Sequence, residues 1–258
     1  MPKWMATGVL AVLAMAGALS TSPHARADEG RVDLLLVLAA DVSRSVNEQK
    51  FKLQREGYAA AIVDPRVLRA ITSGANGRIA VIFVEWASEF EQKVIVDWAI
   101  IANERDAQDV SGRMLAAARP FWGRTSISSA IGYGMTLLAH SPFRAERHVI
   151  DVSGDGTNNS GQDVTAARDA AVEKGVTING LVILSAVPLI TNPTHTHPPG
   201  GLTAYYENNV IGGPGAFVVE AEGFEAFGRL IISKLVKEIA ELPATRHADL
   251  AAADHLWE

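Results

Sequence analysis

The sequence predicts a single doubly wound α/β domain, in which a mostly parallel sheet carries helices on both faces. Continuous apolar runs such as 32–40, interrupted only by Asp33, are typical of strands buried on both faces of a sheet. Helical periodicity follows several of these runs, as in βα units. Two further runs, 78–87 and 90–98, are joined by only two residues, which is too short for a crossover and indicates an antiparallel pair. The predicted class is therefore Rossmann-like with one antiparallel edge strand.

The remaining elements are predicted in chain order from their periodicity and boundaries. In the first helix Phe51, Tyr58 and Ile62 recur at intervals of seven and four, and Gly175 ends a later helix. The predicted strands cover residues 32–40, 78–87, 90–98, 148–152, 176–184 and 216–219. The predicted helices cover residues 48–62, 107–119, 126–139, 162–174 and 224–239.

The amino terminus has the pattern of a secretory signal peptide. Lys3 precedes an apolar run at 5–19, and Ala25-Arg26-Ala27 supplies a small-x-small cleavage site. The run is shorter than the ~20 residues that a membrane-spanning helix needs, although an uncleaved anchor is the alternative. We expect a cleaved signal peptide at 1–27, a domain at 28–242, a loose tail at 243–258 and no stable membrane span in the mature chain. The expected location is the bacterial periplasm or the exterior.

Composition excludes several function classes. The chain has no cysteine, which excludes disulfides, thiolate zinc sites, iron–sulfur clusters and a thiol nucleophile. Its formal charge is -6, and loss of Lys3 and Arg26 with the signal peptide makes the mature chain more acidic. This balance argues against nucleic acid or an anionic membrane surface as a partner.

Small oxygen-bearing side chains follow the predicted strand ends. Asp41, Ser43 and Ser45 come after the first strand, Asp155 follows the strand at 148–152, and Thr125 precedes the helix at 126. In open α/β sheets the ligand site lies beyond the carboxyl ends of the strands, so these side chains are expected to converge. An all-oxygen donor set favours a hard cation, Mg²⁺ or else Mn²⁺ or Ca²⁺.

These five residues resemble the metal-ion-dependent adhesion site of the von Willebrand factor type A (VWA) domain superfamily. The order and separation of Asp41-x-Ser43-x-Ser45, Thr125 and Ser153-Gly154-Asp155-Gly156 fit that pattern, and the resemblance covers about residues 31–241. It implies a binding module in which hydroxyls of Ser43, Ser45 and Thr125 and carboxylates of Asp41 and Asp155 hold the cation. It also implies an open coordination position for an Asp or Glu carboxylate of a protein partner.

A narrower resemblance concerns the second half of the chain. Tyr205-Tyr206 and the segment from Asn209 to Val218 are similar to an exported bacterial branch of the superfamily without a characterised function. We expect Tyr205, Tyr206 and Asn209 to act in the second shell of the metal or in partner binding. Asp151 falls in a predicted buried strand, so it is expected either in that second shell or in a structural hydrogen bond, with a slight preference for the former.

Residues 185–216 form a long loop that contains five of the 11 prolines. Connections longer than ~12–15 residues are uncommon without a function, so we expect this loop to shape the partner pocket, unless it is a surface loop of no consequence. One helical turn is expected near 205–209. His195-x-His197 lacks further ligands and is interpreted as part of the solvated loop rather than as a second metal site.

Local interpretations compete with the metal site. Ser45 and Glu48 form a Ser-x-x-Glu capping box, Thr125 and Ser126 could cap the following helix, and Asp155-Gly156 could be a plain turn. The conjunction of five ligands in three segments favours the metal site over these readings.

Enzyme readings are weaker, because no nucleotide-binding, Gly-x-Ser-x-Gly or His-Glu-x-x-His motif occurs. The predicted function is an exported, cation-dependent protein-binding module without catalytic residues. A magnesium-dependent phosphoryl or ester hydrolase remains an alternative, because Asp41 and Asp155 with a cation could activate water. A third alternative is a structural metal, with partner binding through the loop at 185–216.

Overall fold

The computed structural model describes residues 30–240. The predicted signal peptide at 1–27 lies outside the described residues, as does the predicted tail at 243–258. Within 30–240, no helix combines the length and apolar character needed to cross a membrane.

The described chain alternates strands and helices. The strands are β1 (Leu34–Asp41), β2 (Ile79–Trp86), β3 (Gln92–Ile101), β4 (Arg147–Gly154), β5 (Thr177–Ile183) and β6 (Val218–Ala221). The helices are α1 (Glu48–Ile62), α2 (Pro65–Thr72), α3 (Glu104–Ala116), α4 (Ile127–Ala139), α5 (Val164–Glu173), α6 (Pro193–Thr196), α7 (Leu202–Asn209) and α8 (Phe224–Ala240).

The six strands form one sheet in the order β3-β2-β1-β4-β5-β6. Only the β2–β3 pair is antiparallel, and β3 lies at the edge. The chain order departs in both directions from β1, so the neighbouring carboxyl ends of β1 and β4 flank the point where the topology switches. This architecture confirms the predicted doubly wound class with its antiparallel edge strand.

Both faces of the sheet are covered, because the central strands are apolar on both sides. In β1, Leu34, Leu36 and Leu38 pack with α1, α2, α3 and α8, whereas Val37 and Ala39 pack with α4, α5 and α7. All eight residues of β1 are buried. Burying one such leucine contributes about 1.5–3 kcal/mol, so β1 anchors both layers of the core.

Most elements differ from their predicted bounds by a few residues, and three differences in the helices have local reasons. Helix α2 was not predicted: it is short, and Asp64 caps it by accepting a hydrogen bond from the Arg66 N–H at 2.8 Å. Helix α3 begins at Glu104 rather than 107, because Asn103 caps it. The loop at 185–216 contains two short helices, α6 and α7, instead of one turn.

Candidate functional site

Three segments meet beyond the carboxyl ends of β1 and β4. The Val42 N–H donates to the Trp86 carbonyl at 2.9 Å, and the Arg44 N–H donates to the Gly123 carbonyl at 3.0 Å. The Ser126 N–H donates to the Ala87 carbonyl at 2.8 Å, which attaches the segment before α4 to the end of β2. Backbone hydrogen bonds therefore fix the positions of the loops that carry the predicted ligands.

The structure brings all five predicted metal ligands together in one hydrogen-bonded chain. The Thr125 hydroxyl donates to Ser43 Oγ at 3.1 Å, and Ser43 Oγ lies 3.2 Å from Ser45 Oγ. Ser45 in turn donates to Asp155 Oδ1 at 2.5 Å. Asp41 joins the group through its Oδ1 atom, which accepts from the Ser43 N–H at 2.7 Å.

Asp41 is the electrostatically costly member of this cluster. Its side chain is fully buried, and Oδ2 has no hydrogen-bond partner within residues 30–240. Burial, followed by the nearby charge of Asp155, raises the pKa of Asp41 from its usual 3.8 to about 7. A buried, unpartnered carboxylate oxygen needs a proton or a cation close to it.

The donor set fits a small hard cation. Two atoms that bind one ion at right angles, each about 2.1 Å from it, lie about 3 Å apart, which is close to the hydroxyl separations of 3.1 and 3.2 Å in this cluster. Within the described part of the chain no group of three or more His, Asp or Glu side chains is suited to a metal. The candidate site instead combines Asp41 and Asp155 with three hydroxyls, so all of its donors are oxygen atoms.

Residues from α1 and from the loop before α4 hold the cluster in place. Gln54 donates to the Asp41 carbonyl at 2.9 Å, and Arg119 donates to the Val42 and Ser43 carbonyls at 2.7 and 3.1 Å. Lys50 donates to Asp155 Oδ2 at 3.2 Å. These residues supply positive charge and donors next to the acidic groups, and they were not predicted from the sequence because their roles depend on tertiary contacts.

The structure contradicts the alternative interpretation of Ser45 as a helix cap. The N-cap of α1 is Asn47, whose side chain accepts from the Lys50 N–H at 2.9 Å, so the Ser45–Glu48 capping box does not form. Ser126 does cap α4, and its hydroxyl accepts from the Ser129 N–H at 3.4 Å. Asp155 is fully buried and bonded to Ser45, unlike the side chain of an ordinary surface turn.

The interpretation of His195-x-His197 as a solvated loop is wrong for His195, although His197 is exposed. His195 is 5% exposed, and its Nε2 atom lies 3.2 Å from the Thr125 hydroxyl. Its Nδ1 atom lies 3.2 Å from Asn159 Nδ2, and burial lowers the pKa of the ring. A Cβ atom on Gly156 would lie 2.2 Å from the ring, so only glycine leaves room for it. No local sequence pattern predicts this contact, because the loop must fold back to create it.

Asp151 lies away from the metal cluster, which corrects the preferred placement. It faces α8, where its Oδ1 atom lies 2.6 Å from Lys234 Nζ. Lys234 also pairs with Glu238 at 2.5 Å, and all three side chains are fully buried. Burial and the charge of Glu238 raise the pKa of Asp151 to about 7. The structural alternative is therefore the one observed.

The two tyrosines and Asn209 differ in their distance from the site. A Cβ atom on Gly154 would lie 2.6 Å from the Tyr206 hydroxyl and 3.2 Å from Asp41 Oδ2, so Tyr206 packs directly against the cluster. The Tyr205 hydroxyl accepts from the Asn158 N–H at 3.2 Å, at the edge of the site. Asn209 donates to the Tyr205 carbonyl at 2.8 Å and only supports α7.

A cleft of about 310 Å³ opens beside Thr125, and we name it the arginine cleft. It lies between the loop after β1, the segment before α4 and the loop at 185–216. Residues from all three segments line it, among them Arg44, Ser45, Arg124, Thr125, Leu189 and His195. The long loop therefore shapes the opening next to the candidate metal site.

Solved structures confirm the VWA-like fold. Proximal thread matrix protein 1 from the mussel byssus, solved with a zinc-occupied metal-ion-dependent adhesion site, superposes with a TM-score of 0.56 at 16% identity, over 81% of this chain and 46% of that one. The pilus adhesin SpaC from Lactobacillus rhamnosus GG, in its open conformation, gives 0.57 at 13% identity, over 81% and 30%. A von Willebrand factor type A protein from Catenulispora acidiphila gives 0.53 at 13% identity, over 81% and 42%.

The chain thus spans less than half of the length of each of these proteins. No curated protein sequence matches it. Residues 31–243 match a family model described as "Protein of unknown function (DUF1194)".

Proposed function

Because the chain belongs to the DUF1194 family and has a VWA-like fold, we propose that it is an exported, divalent-cation-dependent protein-binding module. The observation that carries this proposal is the convergence of the five oxygen ligands around Asp41, whose Oδ2 atom has no partner in the described chain. A partner protein would contribute an Asp or Glu carboxylate at the open coordination position.

The five ligand residues would contribute two kinds of donor to the cation. Ser43, Ser45 and Thr125 would contribute neutral hydroxyls, whereas Asp41 and Asp155 would contribute carboxylates directly or through water. When bound, the cation supplies the positive charge to which the partner's carboxylate is attracted. Hydroxyl ligands leave that charge incompletely neutralised, which favours an incoming anion over a closed structural site.

Two proteins of similar fold support this class of function. One relative has a zinc-occupied metal-ion-dependent adhesion site and another is a pilus adhesin. For this chain we propose Mg²⁺, with Mn²⁺ or Ca²⁺ as alternatives, because the donors are all oxygen atoms. We propose no catalytic activity and a location in the bacterial periplasm or outside the cell.

Cation titrations by calorimetry test the metal site. Thr125→Val keeps the size of the side chain but removes the hydroxyl, and we expect it to weaken Mg²⁺ binding by about tenfold or more. Thr136→Val is the matched control, since Thr136 is exposed on α4 and its hydroxyl bonds only to the Gly132 carbonyl. Equal Mg²⁺ affinity in wild type and Thr125→Val would contradict the proposed ligand set.

Partner capture from envelope extracts tests the binding function. Wild type in Mg²⁺ should retain proteins that are lost in EDTA and lost with Asp41→Ala. Capture of the same proteins by wild type and by Asp41→Ala, each in Mg²⁺ and in EDTA, would refute a cation-bridged complex. Mg²⁺-dependent turnover of phosphate or ester substrates that requires Asp41 would instead indicate a hydrolase.

Mass spectrometry of the mature protein should give Asp28 as its first residue if the chain is exported and cleaved as proposed.

A further inference from the structure

The arginine cleft is lined by two arginines and, among the described residues, by no carboxylate. This contrasts with the chain as a whole, whose formal charge is -6. The cleft also includes Ser45 and Thr125, so an anion in it would lie next to the candidate metal site. Arg44 and Arg124 therefore place positive charge at the face where an acidic partner would approach, next to the carboxylates of Asp155, which bonds to Ser45, and Glu91, which lies against Gly123.

Both arginines are held at the cleft by backbone contacts. The Arg44 N–H donates to the Gly123 carbonyl at 3.0 Å, which fixes the origin of an exposed side chain. No hydrogen bond or ion pair of the Arg44 guanidinium occurs within residues 30–240. Arg124 Nη2 donates to the Asn159 carbonyl at 2.6 Å, a neutral acceptor that orients the guanidinium without neutralising it.

An arginine guanidinium presents several N–H groups in one plane, which matches the two oxygens of a carboxylate. Arg44 and Arg124 therefore offer a second anion position beside the one proposed at the cation. A ligand with a single carboxylate would leave this position without a partner.

An exposed apolar segment adjoins the cleft in the chain, which indicates what kind of anion it accepts. Leu189 lines the cleft, and its neighbours in the sequence, Ile190 and Val187, are 94% and 70% exposed. A peptide can place apolar side chains on such a segment, whereas a nucleic acid or a sulfated glycan presents charge along its whole length.

We propose that the arginine cleft binds a second acidic side chain of the same partner segment, so that the partner is an acidic peptide segment with at least two carboxylates and an adjacent apolar residue. This inference rests on the proposed function, in which the first carboxylate binds at the cation. In this proposal Arg44 and Arg124 select the partner, whereas the five oxygen ligands account only for the dependence on the cation.

Fluorescence anisotropy with short labelled Gly-Ser peptides tests this proposal on the mature protein. One peptide carries a single Asp, a second carries two Asp and a neighbouring Leu, and a third replaces one of those Asp by Asn. In Mg²⁺ we expect wild type to bind the two-acid peptide about tenfold more tightly than the other two. Arg44→Gln should remove most of this preference and leave binding of the single-acid peptide within about twofold of wild type.

The matched control is Arg69→Gln. Arg69 is exposed on α2, which leads into the amino end of β2, whereas the cleft lies beyond the carboxyl ends of the strands. It should leave all three affinities unchanged. Equal affinity of wild type for one-acid and two-acid peptides, with binding lost in EDTA, would overturn the inference and leave the proposed function intact. Absence of any Mg²⁺-dependent peptide binding would overturn both. Tighter binding of a single-stranded DNA or heparin fragment than of the two-acid peptide would overturn the choice of a peptide partner.

Discussion

At the scale of single residues, the site is defined by the unequal surroundings of its two carboxylates. Asp155 accepts hydrogen bonds from Ser45 and Lys50, whereas one oxygen of Asp41 has no partner in the described chain. Removing both groups from water is unfavourable, and only Asp155 receives compensating donors on both oxygens. Replacing the Asp41 carboxylate by a neutral group should therefore raise the stability of the cation-free protein rather than lower it.

We predict that Asp41→Asn stabilises the cation-free protein, by about 1–3 kcal/mol near pH 8, because an amide of similar shape replaces an unpartnered carboxylate. Urea denaturation in EDTA measures this change in the free energy of unfolding. Asp109→Asn, at an exposed position on α3, should change stability little. A lower stability of Asp41→Asn in EDTA would show that the carboxylate is compensated by other groups.

His195 and Gly156 form a second residue-scale pair. We predict that Gly156→Ala destabilises the protein by about 1–3 kcal/mol, because the added Cβ would lie 2.2 Å from the imidazole ring. His195→Ala removes the ring, so Gly156→Ala should have a smaller effect in that background. The measurement is a double-mutant cycle on unfolding free energies. Additive effects of the two substitutions would mean that the ring does not occupy the space above Gly156.

At the scale of elements, the sequence predicted most strands and helices because their apolar periodicity is strong. The strand ends then predicted the position of Asp41, Thr125 and Asp155, since the topology rule needs only the order of strands and helices. The burial of His195 was not predictable, because it depends on how a proline-rich loop folds back onto the site. Likewise Asp151 was predictable as buried, but its partner Lys234 comes from a helix distant in sequence.

A buried cluster of charged side chains attaches helix α8 to the sheet. In it Lys234 pairs with Asp151 and Glu238, and the charges of both acids act on Tyr58. In the folded protein the pKa of Asp151 is about 7, above its usual 3.8, because of burial and Glu238. A raised carboxyl pKa means that the folded state holds the proton more tightly than the unfolded state. Its contribution to stability is full below the unfolded pKa and is lost as the pH rises through about 7.

We predict that this loss appears as a pH-dependent difference between wild type and Asp151→Asn. Between about pH 5 and about pH 8, the stability of wild type should fall relative to the variant by about 2–3 kcal/mol. The measurement is urea denaturation of both proteins across this range in EDTA, and the difference cancels titrations that they share, such as that of Asp41. A constant difference at all pH values would mean that Asp151 stays ionised throughout.

At the scale of the whole molecule, the sheet joins two apolar layers into one cooperative unit. Residues of β1 alternate between the layer of α1, α2, α3 and α8 and the layer of α4, α5 and α7. The candidate metal site lies at the end of this shared strand, so its geometry depends on both layers. A substitution in the core on either side of the sheet should therefore shift one and the same global unfolding transition.

We predict that Leu38→Ala in one layer and Ile82→Ala in the other each lower the free energy of unfolding by about 2–5 kcal/mol, because both side chains are fully buried. Leu115→Ala is the control: this leucine is 52% exposed, so its loss should change stability by only about 0.5 kcal/mol. In each variant, tryptophan fluorescence and far-ultraviolet circular dichroism should report the same midpoint, since Trp86 in one layer unfolds together with helices from both. Two separate midpoints in either variant would mean that the layers unfold independently, and that the candidate metal site at the end of β1 is supported by one layer alone.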